Sequence, residues 1–203
     1  LDKFTFYSGN PYLSPSFSQS LAFSYRYKSN FSTTVSYTNI KDDIGETLEI
    51  VDEIYFSRPG NIGKTQFWSW NVESEIPFTK WLSTNVYSEL TYVAYKSKLY
   101  AETLNTTGIF FFFSANNRFK LGKDWSAEIG GRYISRVESG QVTTDPKGSI
   151  NFGIQKKILH NLGSLKLTGN DIFYTNINSG VINNLTLTDA HYTNKGDTRY
   201  AAL

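Results

Sequence analysis

Carboxylates, histidines and hydroxyls are the groups in this sequence that could carry chemistry. Glu73, Glu75 and Glu89 stand close enough along the chain to act as a general acid and base if the fold aimed them at one bond. The two histidines, His160 and His191, are far apart in sequence, and no Ser–His–Asp set or metal pair can be built on them. The acidic stretch KDDIGETLEIVDE (41–53) offers oxygen ligands of the kind Ca²⁺ takes, yet it lacks the spaced Asp/Asn-Gly loop of a calcium site and reads as a solvated hairpin. There is no cysteine, which excludes disulfides and thiolate metal sites. NTT (105–107) and NLT (184–186) match a glycosylation acceptor pattern. Neither GQ (Gly140–Gln141) nor NDIF (170–173) suggests a catalytic role. The sequence therefore predicts no enzyme, no cofactor and no metal, and it turns attention to the elements that hold these side chains.

Those elements read as strands. The chain is polar on average, with a mean hydropathy of −0.36, but 16% of it is aromatic. No apolar run reaches the roughly 18 residues of a transmembrane helix. Alternation with period two runs almost throughout. Phe17, Leu21, Phe23, Tyr25 and Tyr27 share one parity, and Ser18, Ser20, Arg26 and Lys28 the other. Trp68, Trp70, Val72, Ile76 and Phe78 oppose Asn71, Glu73 and Glu75; Leu82, Val86, Leu90 and Tyr92 oppose Asn85 and Glu89. Ile109, Phe111, Phe113 and Phe119 oppose Arg118 and Lys120, with Phe110 and Phe112 on the charged parity. Trp125, Ile129 and Tyr133 oppose Glu128 and Arg132; Ile150, Phe152 and Ile154 oppose Asn151, Gln155 and Lys157; Leu165 and Leu167 oppose Lys166. Within these segments Lys156 alone among the charges takes the apolar parity, beside a turn where its stem can snorkel. Asp171 takes it too if the register simply continues, and a bulge there is the simplest repair.

A packed soluble core and a lipid bilayer both select such sidedness, since a charge facing mid-bilayer costs roughly 2–4 kcal/mol. The connections separate the two. Short ones, KSN (28–30), PFTKW (77–81), LGKDW (121–125) and LHNLG (159–163), alternate with long ones near 40–56, 96–107, 135–147 and 174–197. Short turns at one end and long loops at the other are the habit of outer-membrane barrels, whereas Greek-key sandwiches have no reason to alternate. Tyr25, Tyr27, Phe78, Trp81, Phe119 and Trp125 mark the short-turn end as an aromatic girdle would. Each segment is long enough for the roughly 9–11 tilted residues that cross a bilayer.

The expected fold is thus all-β: an antiparallel up-and-down transmembrane β-barrel in the bacterial outer membrane, present as an incomplete fragment of about nine strands without the plug domain. NKGD (194–197) is expected to be an outer hairpin tip, followed by a strand descending from Thr198. The expected lumen-facing residues are Glu73, Glu75, Glu89, Phe110, Phe112, Arg118, Lys120, Glu128 and Arg132, with the acids paired to Arg118, Lys120 and Arg132. Those expected to face lipid or form a girdle are Phe23, Tyr25, Tyr27, Trp68, Trp70, Trp81, Phe111, Phe113, Trp125, Ile129 and Phe152. Phe110 and Phe112 would pack against an inward-folded loop, or line a ligand path.

The pieces SGNPYLSP (8–15), NIGKTQFWSWNVESEIPFTKWLS (61–83), FKLGKDWSAEIGGRY (119–133), SGQVTTDPKGSINFGIQKKIL (139–159) and LTGNDIF (167–173) occur in that order. In this series the chain resembles the C-terminal part of Bacteroidota outer-membrane β-barrel proteins allied to TonB-dependent receptors. The resemblance implies a large barrel of about 22 strands around a plugged lumen. It implies as partners outer-membrane lipid, a plug domain of the same chain, a TonB-type energy transducer, and surface lipoproteins or other outer-membrane subunits. The function it implies is import of a siderophore, peptide or glycan. Two other functions stay open: a non-transporting barrel serving an outer-membrane assembly complex, and a soluble β-sandwich that binds carbohydrate through Trp68, Trp70 and Tyr92. The balanced charge of +2 speaks against nucleic acid.

Overall fold

A computed structural model describes residues 5–51, 54–99, 102–183 and 189–203. In chain order the strands are β1 (Thr5–Tyr7), β2 (Phe17–Tyr27), β3 (Phe31–Lys41), β4 (Ile44–Val51), β5 (Ile54–Asn61), β6 (Lys64–Pro77), β7 (Leu82–Leu99) and β8 (Glu102–Gly122). They continue as β9 (Trp125–Ile134), β10 (Val137–Ser139), β11 (Val142–Thr144), β12 (Lys147–Ile158), β13 (Gly163–Asn170), β14 (Asn178–Ile182), β15 (Ala190–Asn194) and β16 (Tyr200–Ala202). A single 3₁₀ turn, Leu159–Asn161, joins β12 to β13.

Nine strands form one antiparallel sheet in the order β16-β13-β12-β9-β8-β7-β6-β3-β2. Two smaller sheets, β1-β5-β4 and β10-β11-β14-β15, are built from the long connections and, for β1, from the segment ahead of β2. Among the described residues the edges of the large sheet, β2 and β16, do not pair with each other.

The short turns follow from local chemistry. Lys123 and Asp124 both have positive φ, 47° and 67°, between the paired residues Gly122 and Trp125. Two left-handed residues in a two-residue loop match the right-handed twist of the flanking strands. At the other end the connections stay structured. Residues 96–99 and 102–107 are strand, not loop: β7 and β8 keep pairing from Leu82↔Phe119 to Leu99↔Glu102. The reason is burial on one face, since Val93, Tyr95 and Leu104 pack with Ile62 into the main hydrophobic cluster, against which Phe67 and Phe110 lie. Gly63 makes the bend into β6 with φ +86°, and a Cβ there would meet the Lys96 carbonyl oxygen at 2.4 Å.

Cross-strand partners lie on the same face of a sheet, so the register sorts the side chains. One unbroken row reads Phe23–Val35–Trp70–Leu90–Phe111. These side chains are not covered: Phe23 is 75% exposed and Trp70 52%. Leaving each in water forgoes about 1.5–3 kcal/mol, so a whole face of them forgoes more than the 5–15 kcal/mol or so that holds an ordinary domain together. The soluble sandwich reading fails here, because no second sheet lies on that face among the described residues. Lys156 shares the apolar face and places its ammonium 4.7 Å from the centre of the Trp125 ring, a cation–π seat for a charge near the short-turn end.

Asp171 is not a bulge. β13 ends at Asn170, and Asp171 turns the chain with φ +44° and becomes fully buried. Its carboxylate accepts hydrogen bonds from the Thr175 and Asn176 backbone N–H groups, at 3.0 and 3.4 Å, and from the Thr198 hydroxyl. Its own N–H donates to Asn151 Oδ1 at 2.9 Å. A carboxylate with that many donors is satisfied away from water, which a lipid-facing carboxylate is not. NKGD is likewise not a hairpin tip: β15 pairs with β14, whereas β16 returns to the large sheet beside β13. The second glycosylation pattern, NLT (184–186), and the last two residues of the acidic stretch lie outside the described residues. Asp171→Asn keeps one acceptor oxygen and is expected to cost about 1–2 kcal/mol locally. Hydrogen exchange at 200–202 should accelerate, and unchanged exchange there would refute the anchoring role of this carboxylate.

Candidate functional site

The opposite face of the large sheet is polar, and the register assembles it from every second residue. Glu73 faces Tyr87, Tyr87 faces Ser114, Ser114 faces Arg132 and Arg132 faces Ser149; at the other side Glu73 faces Ser32, which faces Arg26. The next row holds Glu75, Asn85, Asn116, Gly130 and Asn151. Together these two rows line a trough of about 480 Å³. Gly130 leaves its floor free of a side chain between Asn116 and Asn151. Arg118 faces Glu128, and Lys120 faces Ser126, on this same face. Phe110 and Phe112 are here too, opposite Thr91 and Glu89.

The expected ion pairs are absent from this wall. Among the described residues the salt bridges are Arg58–Glu49, Arg136–Glu138 and Arg199–Asp197. The first two lie in the smaller sheets and the third beside the turn into β16; Arg199 holds the exposed Asp197 carboxyl down at about 2 through its hydrogen bonds. Glu89 is held by neutral groups instead. The Tyr87 hydroxyl donates to Glu89 Oε2, and Thr91 Oγ1 donates to Glu89 Oε1 at 2.9 Å. Arg132 Nε donates to Ser149 Oγ at 3.2 Å. Alternate strands present charge and hydroxyl in turn, so a charge meets a neutral neighbour across the ladder more often than its opposite. The wall is left with both signs of charge available to whatever fills the space beside it.

Phe110 packs on the cluster of Ile62, Val93, Tyr95 and Leu104, that is, under the inward-folded connections. The ring of Phe112 meets Tyr87 edge-on at 5.8 Å. On the apolar face are Phe23, Tyr25, Tyr27, Trp68, Trp70, Phe111, Phe113, Trp125, Ile129 and Phe152. Trp81 lies in the turn between β6 and β7 and stacks on Phe119 at 6.2 Å.

At the long-connection end one buried side chain ties the two smaller sheets together. Gln141, after the left-handed Gly140, donates from Nε2 to the carbonyls of Leu48 and Asn183, at 3.0 and 3.1 Å, while its Oε1 accepts from the Leu48 N–H at 3.0 Å. The sequence shows the GQ pair without this role, because its partners are remote along the chain. Among the described residues no three His, Asp or Glu side chains gather as a metal site.

An open-edged antiparallel meander, apolar and uncovered on one face and polar on the other, is the wall of a membrane barrel. The family model of the outer membrane protein beta-barrel family matches residues 1–203. The chain belongs to this family. It is therefore an all-β outer-membrane protein. Comparison with curated proteins finds no match. In a barrel of this family the alternation of faces has a physical cause: hydrocarbon offers no hydrogen bonds, so every second side chain must be apolar while the backbone is satisfied between strands.

Proposed function

We propose that the chain is part of the wall of a TonB-dependent importer of the Bacteroidota type. Its polar face lines the lumen, and its apolar face meets lipid. The observation that carries the reading is the unpaired charge of the polar wall. Arg26, Glu73, Glu75 and Arg132 border one trough without an ion pair among the described residues. A narrow barrel fills its interior with its own side chains, whereas a wide one encloses water or a plug. Charges of both signs, hydroxyls and amides suit a surface that a plug domain contacts and releases, with a large nutrient such as a siderophore, peptide or glycan passing alongside. The partners in this reading are a plug, a TonB-type energy transducer and surface lipoproteins or other outer-membrane subunits; no residue acts as an enzyme. The folded-in smaller sheets, locked by Gln141, would shape the mouth.

The test is uptake by cells carrying the full-length gene. Deletion is expected to abolish energy-dependent import of one large nutrient, with restoration by the intact gene. Intact import of every large nutrient, together with stable co-purifying outer-membrane subunits, would instead establish the barrel as an assembly scaffold.

A further inference from the structure

Above the aromatic band of the apolar face the side chains change in ordered layers. The row Tyr37–Trp68–Tyr92–Ile109 is followed by Asn39–Gln66–Ala94–Thr107. Next come Lys41, Lys64 and Lys96: Lys64 directly faces Lys96, and Lys41 follows Ile40, which faces the residue after Lys64. All three lysines are exposed, and among the described residues none has an ion pair. Lys98, also exposed, continues the patch away from the membrane. Asp42 and Asp43, which follow Lys41 in sequence, form no ion pair with it.

Like charges directly opposite on neighbouring strands repel, so three adjacent lysines favour a bound anion. Two rows of separation put them roughly 13 Å along the strand beyond the aromatic ring layer, which is about 10 Å along the membrane normal at the tilt of barrel strands. This is the depth of lipid headgroups, at the end that carries the long connections and so faces the cell exterior. Long lysine stems reach down as well as up from there. One row below, Asn39 is buried and its carboxamide oxygen has no partner.

We propose that Lys41, Lys64 and Lys96 form a binding site for the phosphate-bearing headgroup of an outer-leaflet lipid. The ammonium groups donate charge-assisted hydrogen bonds to phosphate oxygens, and the lipid's acyl chains run down the apolar face past Trp68 and Trp70. The site rests on that face meeting lipid, as proposed above, and is independent of transport.

The experiment uses the full-length protein in detergent micelles with lipid A, a diphosphorylated glycolipid, as probe and native mass spectrometry as readout. The K41Q/K64Q/K96Q variant is expected to bind it on the order of 100-fold more weakly, given about fivefold per lysine near an anionic surface. The matching arginine variant should retain binding, as should K28Q/K80Q/K123Q, which removes the same charge from the short turns. Wild-type binding by the glutamine variant would overturn the proposal. So would displacement of lipid A by equimolar inorganic phosphate, which would mark a site for free anion, or loss of an acidic partner protein with lipid binding unchanged. Quenching of Trp68 and Trp70 by brominated lipid separates the two readings: quenching with unchanged lipid A binding sinks the site alone, and no quenching sinks the lipid-facing assignment with it.

Discussion

Phe113→Arg is expected to destabilise the membrane-inserted barrel by about 2–4 kcal/mol, the cost of an arginine near the bilayer midplane. Phe112→Arg, at the neighbouring position, is expected to change stability by less than about 1 kcal/mol. Along β8 the apolar face runs from Phe119, stacked on Trp81 at the short turns, to Ile109 at the upper aromatic layer. Phe113 lies midway between them, opposite Ser88 and Tyr133. A guanidinium there has hydrocarbon to cross in either direction. At Phe112 the new arginine would face Glu89 across the ladder. It loses the edge contact with Tyr87, worth about 0.5–1.5 kcal/mol, and gains an opposite-charge pair worth about 0.2–1 kcal/mol. Reversible urea unfolding in lipid vesicles measures both. Equal costs for the two variants would mean that the faces do not meet different solvents, and the membrane assignment of the apolar parity would fail.

The second large effect belongs to Gln141. Gln141→Ala removes two donated bonds and one accepted bond. The half-buried Leu48 loses the partners of its N–H and C=O, each unsatisfied group costing about 1–3 kcal/mol, while the exposed Asn183 can turn its carbonyl to water. The expected outcome is a local loss of at least about 2 kcal/mol, seen as exchange of the Leu48 amide accelerated on the order of 30-fold while the β7–β8 ladder exchanges as before. Gln141→Glu keeps the acceptor for Leu48 N–H but sets a buried carboxylate oxygen against the Leu48 and Asn183 carbonyls, so it should be at least as damaging as Ala. Unchanged exchange at Leu48 in Gln141→Ala would show that the smaller sheets are held by their own strand pairing rather than by this side chain.

The order of strands in the large sheet and the face of each aromatic could be anticipated because both are local. Alternation has a period of two residues, and a short turn makes sequence neighbours spatial neighbours. Thus Trp68 and Trp70 oppose Glu73 and Glu75 before any folding is considered. The inner packing of the long connections is not legible in the sequence for the opposite reason. Residues 96–99 and 102–107 read from sequence only as part of a long polar connection. Only the packing of Val93, Tyr95 and Leu104 on Ile62, supplied by another connection, shows why they stay strand. Asp171 was misplaced because its hydrogen-bond donors include Thr198, which approaches only when β16 returns to β13. The expected ion pairs failed because register sets which residues face one another, and distance decides whether they pair.

By itself, then, the sequence determined the two-solvent character of this protein: a polar parity, an apolar parity, and alternating short and long ends. Tertiary structure alone decided the Gln141 lock, the Asp171 anchor, the unpaired polar wall and the row of lysines above the aromatic band. Each of those joins residues from strands whose pairing depends on register, and register is fixed by the summed burial of a whole face rather than by any short stretch of chain.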